Sequence, residues 1–223
     1  MKPDWKREIP ALTMLAAMFV TALAVWPHMP DRLPVHWGLS GDPNRWGGRF
    51  EALLGLPLTA LGVYVLLLVL PRIDPRREHY PSFAGPYSAI RAVLVGSLFA
   101  LQLFKVVRVD TATPGDPRVL PMILGLLTVF LGNYLPKVQS NWFVGVRTPW
   151  TLSSEESWRR THRLAGWLLV GTGLLSVLAA AVWPGAALPL FLVLLGISVV
   201  SSIVYSYVAW REDAGRTPPA NLA

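Results

Sequence analysis

Residues Gly132 to Gly166 read GNYLPKVQSNWFVGVRTPWTLSSEESWRRTHRLAG, a polar stretch set between two long apolar blocks. For about 25 residues it breaks the hydrophobic pattern and collects Asn133, Asn141, Gly145, Arg147, Thr148, Trp150, Thr151, Trp158, Thr161 and His162. A plain connector needs only small polar residues, so this composition marks a candidate functional site. Outward from it, the chain falls into six apolar blocks of roughly 17 to 23 residues. Each block is long enough to cross a hydrocarbon core about 30 Å thick at about 1.5 Å per residue. The expected fold is therefore an all-α integral membrane protein, a bundle of six transmembrane helices.

The chain has 223 residues, 53% hydrophobic and 15% charged, with a net charge of +7. The basic residues sit at the ends of the apolar blocks rather than in a stripe, which argues for membrane orientation and against direct nucleic-acid binding. Fourteen of the 20 Lys and Arg fall in the leader, the 71–91 loop, the 136–163 stretch and the tail. By the positive-inside rule both termini and the polar stretch are cytoplasmic, and the loop carrying Trp37 is extracytoplasmic. The absence of cysteine excludes disulfides, thiolate metal sites and a cysteine nucleophile.

The blocks are expected at Ile9–Trp26, Glu51–Leu70, Ser88–Val107, Val119–Leu135, Leu164–Val182 and Leu188–Trp210. A cleavable leader ending near Ala22-Leu23-Ala24 is the rival reading of the first, but its Trp26-Pro27 exit fits an interfacial anchor better. Pro27 to Phe50 reads as an ordered surface loop. Its His28, Asp31, His36 and Asp42 match no zinc spacing, so no metal or other cofactor is expected. Arg91 and Lys105 lie closer along block three than the core is thick, so both snorkel or one faces inward. The organisation expected is an N-terminal half over 1–110, a C-terminal half over 111–211 and a disordered tail over 212–223.

Within the polar stretch, Ser153-Ser154-Glu155-Glu156 has the form of a capping box, placing a helix start near Ser154. On that helix Trp158 and His162 share a face, with Thr161 beside them, while Arg159 and Arg163 share another. Two readings are open: a juxtamembrane anchor, or a site in which Asn141, Arg147, Trp150 and the Trp158/His162 face fold over the bundle's mouth. Ser198, Ser202 and Ser206, and Gly166, Gly173 and Ala180, form small-residue stripes for close helix approach. No H-E-x-x-H, G-x-S-x-G or P-loop occurs, and no Asp or Glu lies at the centre of an apolar block. An enzyme is not expected.

The stretch from Gly132 to Gly166 resembles the signature region of the SdpI family, and LPVHWGLSGDPNRWGG (33–48) resembles the domain of unknown function that commonly precedes it. The resemblance implies a bacterial inner-membrane immunity protein whose partners are the lipid bilayer, a membrane-active peptide toxin and a cytoplasmic transcriptional repressor. In the extracytoplasmic loop, His36, Trp37 and Gly41 are a candidate site. The rival is a small transporter or channel for an amphipathic solute.

Overall fold

The structure, a computed structural model, describes residues 4–38, 43–108 and 116–216. Six helices long and apolar enough to cross a membrane run antiparallel in sequence: α1 (Trp5–Val25), α2 (Arg49–Ile73), α3 (Ala84–Arg108), α4 (Val119–Tyr134), α6 (Glu155–Val182) and α7 (Pro184–Glu212). A short α5 (Pro149–Ser153) lies between α4 and α6. Most helices overrun their apolar blocks because polar residues cap them outside the hydrocarbon. Asp4 accepts from the Lys6 N–H (3.2 Å) to start α1, and Ser154 accepts from the Ser157 N–H (2.9 Å) to start α6. An even number of spans puts both ends on one side, together with a 3-10 segment at Arg77–Phe83 and the polar stretch.

The loop after α1 is more regular than its Pro and Gly content implies. β1 (Arg32–Trp37) pairs antiparallel with β2 (Pro43–Gly48), with irregular register around Pro34 and His36. Pro34 and the glycines hide the two-residue alternation that marks a strand. Leu33 is buried with Ala22, Ala52 and Leu53, so the hairpin is pinned over the ends of α1 and α2. Gly41 and Asp42 lie outside the described residues, as does most of the Asp110–Arg118 turn. Among the described residues no His, Asp and Glu cluster could hold a metal.

In lipid, helices gain little from burying apolar surface against one another, so close backbone approach decides which pairs meet. Gly132 and Gly166 face each other so tightly that a Cβ on either would stand 2.7 Å from the other's carbonyl oxygen. Gly125 and Gly173 repeat this contact one heptad deeper. The α6 stripe of Gly166 and Gly173 is therefore the seat of α4. The serine stripe of α7 meets α6: Ser198 Oγ lies 2.9 Å from Thr172 Oγ1, and Ser157 Oγ donates to the Ser206 carbonyl at 2.8 Å. Trp183 alone joins α6 to α7, since Pro184 and Gly185 already open α7.

In the other half, Ala11, Leu15 and Met18 of α1 pack on Ala60 and Tyr64 of α2 and Val95 of α3. Arg91 does not snorkel: it is buried and ion-paired with Glu8, which also accepts from the Tyr64 hydroxyl at 3.2 Å. Glu8 thus belongs to the buried face of α1. Lys105 donates to the Ala52 carbonyl at 3.1 Å, with the Trp37 ring 5.9 Å away. At the chain's end, Asp213 Oδ2 accepts from Ser154 Oγ at 2.6 Å, and this hydrogen bond holds its carboxyl below the usual range. The tail beyond Arg216 lies outside the described residues.

Candidate functional site

Pro136 ends α4 by removing a helix donor, and the chain then crosses the mouth of the bundle as irregular backbone held by side chains. Asn141 organises the first turn. Its Oδ1 accepts from the N–H groups of Phe143 (2.9 Å) and Val144 (2.7 Å), and its Nδ2 donates to the carbonyls of Gln139 (2.9 Å) and Val144 (3.0 Å). Both ends of the amide are spent internally, and the residue is buried.

His162 fastens the second turn. Its Nδ1–H donates to the Trp158 carbonyl (2.8 Å), which leaves Nε2 to accept the Val146 N–H (3.1 Å). The imidazole is neutral in this arrangement, fully buried, and stacked on Trp158 with centroids 4.0 Å apart. With both nitrogens committed, His162 is a latch rather than an open pH sensor. Gly145 makes room for it: its φ is +117°, and a Cβ there would strike His162 Nε2. The Val146 carbonyl accepts from Thr151 Oγ1 at 2.8 Å.

Thr148 and Thr151 form the reciprocal capping box expected at Ser153–Glu156. Thr148 Oγ1 accepts from the Thr151 N–H (3.2 Å), and Thr151 Oγ1 accepts from the Thr148 N–H (2.9 Å). The box therefore starts α5, and Ser154 caps α6 without a glutamate return. Thr148 Oγ1 also lies 2.9 Å from Ser206 Oγ, tying the stretch to α7. Trp150 rests against Tyr207 with centroids 5.1 Å apart, and Thr161 is buried beside His162.

The expected site residues thus separate into groups. Asn141, Gly145, Thr148, Thr151, Trp158 and His162 build the interior of one folded cap. Arg147 is exposed on it, with Nη1 donating to the Trp142 carbonyl at 2.8 Å. Asn133 stands apart, in a crevice with Arg163, Gly166 and Trp167 on the far side of the α4–α6 contact. On the hairpin side, His36 Nδ1 lies 2.6 Å from Asn44 Oδ1, and both line a 490 Å³ cavity with Trp37.

The structure adds residues from the 71–91 loop. Asp74, buried at the end of α2, accepts from the Tyr80 hydroxyl (2.8 Å), the Arg76 N–H (2.7 Å) and the Trp142 N–H (3.0 Å). Arg76 donates to Ser140 Oγ and to the Leu152 carbonyl (2.5 Å), and His79 Nδ1–H donates to the Ser140 carbonyl (2.6 Å). Trp158 Nε1 closes the assembly on the Val138 carbonyl at 2.8 Å. The 71–83 loop and the polar stretch are therefore one structure. An Asp directly after a 25-residue apolar helix was the available signal, because a carboxylate there needs donors.

The profile of the SdpI/YfhL protein family matches residues 137–206, and that of a domain of unknown function, DUF1648, matches residues 13–61. The chain is 22% identical over 216 residues to a protein named "Immunity protein SdpI" from Bacillus subtilis (strain 168), covering 94% of this chain and 99% of that one. It is 25% identical over 72 residues to an uncharacterized protein of Archaeoglobus fulgidus, covering 32% of this chain and 39% of that one. No solved structure matches. In this multi-pass membrane protein the region that matches the SdpI/YfhL family follows the one that matches DUF1648, and the cap built on Asn141 and His162 lies inside the former.

Proposed function

We propose that this chain is a membrane immunity protein that protects the bacterium carrying it against a membrane-active peptide. The observation that carries the reading is similarity to "Immunity protein SdpI" along almost the whole chain, hairpin and cap included. The protein sits in the bacterial inner membrane, with the cap and both termini cytoplasmic, as the Lys and Arg distribution favours. Residues 1–110 and 111–211 act as two three-helix halves joined through the Asp74–Trp142 contact. Arg77 and Arg159, exposed on the cap side, form the surface through which a cytoplasmic repressor is engaged.

The test uses Bacillus subtilis cells deleted for their own SdpI, carrying this chain at verified membrane abundance and challenged with that strain's killing peptide. Survival and a maintained membrane potential above the empty-vector control support immunity. Sensitivity equal to the control, together with peptide-independent solute flux in liposomes, would return the chain to the class of small transporters.

A further inference from the structure

Beside the cap, a groove of 270 Å³ runs between α6 and α7, walled by Ala165, Leu169, Val199 and Ile203 and roofed by Gly145–Thr148. The roof has an uneven hydrogen-bond pattern. Val146 is fully committed inward, its N–H to His162 Nε2 and its carbonyl to Thr151 Oγ1. On either side of it, the N–H and carbonyl groups of Gly145 and Arg147 have no partner among the described residues. The Arg147 guanidinium spends Nη1 on the Trp142 carbonyl, and its Nε and Nη2 have no acceptor among the described residues.

Unpaired donors and acceptors flanking Val146 are open to the backbone of an added peptide, and the free Nε–Nη2 edge of the Arg147 guanidinium beside them matches a carboxylate. We propose that the groove binds an extended apolar peptide segment that pairs with the backbone of Gly145 and Arg147, buries an aliphatic side chain between α6 and α7, and places a carboxylate on Arg147. A lipid acyl chain fits the walls equally well but leaves the backbone groups of the roof unpaired. The His162 latch gains a purpose: by holding Val146 inward it leaves its neighbours free. The inference rests on the immunity reading and names where and how the peptide is held.

The test uses the full chain in phosphatidylcholine nanodiscs, with fluorescein-labelled apolar hexapeptide pools as free acids read by anisotropy. Binding by at least one pool is expected, weakened about tenfold or more by C-terminal amidation, by backbone N-methylation, by Arg147→Lys and by the groove-filling Val199→Trp. Equal binding of acids and amides, indifference to N-methylation or to both variants, or no binding by any pool overturns the proposal. Phosphatidylglycerol retained through purification with no peptide bound assigns the groove to lipid and overturns it too. The two readings fail separately. Peptide binding without protection of cells defeats immunity alone, and protection undiminished in Arg147→Lys and Val199→Trp cells defeats the groove alone.

Discussion

Asp74 and Trp142, 68 residues apart in sequence, meet where the Asp74 Oδ2 accepts the Trp142 backbone N–H at 3.0 Å. This carboxylate also holds Tyr80 and Arg76, so one buried side chain fastens the end of α2 to the cap. Asp74→Asn turns one acceptor into a donor facing donors. Each orphaned buried group costs about 1–3 kcal/mol, so a fall in Tm of roughly 5–10 °C is expected. Tryptophan fluorescence during thermal unfolding in detergent reads it, and an unchanged Tm would remove Asp74 as the fastening.

The Glu8–Arg91 pair is buried on both sides, and Arg91 Nη1 has no hydrogen-bond partner among the described residues. Removing one member strands the other charge, at a cost of about 3–5 kcal/mol, whereas apolar replacement of both is far cheaper. Arg91→Leu should therefore assemble poorly, and Glu8→Leu/Arg91→Leu should recover most of the lost monodisperse protein on size exclusion. A double variant no better than the single would show that the charges serve more than each other. Lys105→Leu gives up one bond to the Ala52 carbonyl, so it should cost only about 1 kcal/mol.

Backbone contact between α4 and α6 makes Gly132→Ala disruptive, because its Cβ would stand 2.7 Å from the Gly166 carbonyl oxygen with no side chain to yield. Gly171→Ala on the same α6 meets nothing within 4 Å among the described residues and should gain up to about 1 kcal/mol in helix propensity. Comparing the detergent stability of the two variants checks this. Equal behaviour would mean that the glycine seam is not what holds the helices.

Sidedness is testable because the chain has no cysteine of its own. Arg32→Cys on the hairpin should react with an impermeant maleimide in intact cells, and Arg159→Cys on the cap side only after lysis. Labelling of both in intact cells would contradict the assigned orientation.

Within the cap, Gly145→Ala strains a +117° φ and collides with His162, and His162→Gln cannot hold both the Trp158 carbonyl and the Val146 N–H in the same geometry. Both should lower Tm by several degrees and weaken protection. Arg159→Lys, whose partner Glu156 is one turn away on an exposed face, should change neither by more than about 0.5 kcal/mol or its equivalent. Exposed Arg147→Lys should weaken protection with Tm unchanged. Loss of stability with that substitution would make it part of the frame rather than the recognition surface.

The membrane-spanning design was legible because it is written in local, periodic terms. Six apolar blocks of bilayer length, the glycines of α6 and the serines of α7 each state a helix and its packing face without reference to distant residues. Composition also singled out the 132–166 stretch, since Asn, His and Trp are costly in a mere link. What sequence could not state is which donors meet which acceptors. Whether Arg91 snorkels or faces inward is decided only by Glu8 of α1 lying against it, and only the fold brings Asp74, Arg76 and His79 of the 71–83 loop to the backbone of the stretch. Non-helical backbone at a bundle mouth must satisfy its polar groups with whatever lies near it in space, and that nearness is set by helix packing rather than by the order of residues. The same holds within the proposed site: His162 and Gly145 are recognisable residues in the chain, but only the fold turns one nitrogen onto Val146 and leaves the backbone beside it open.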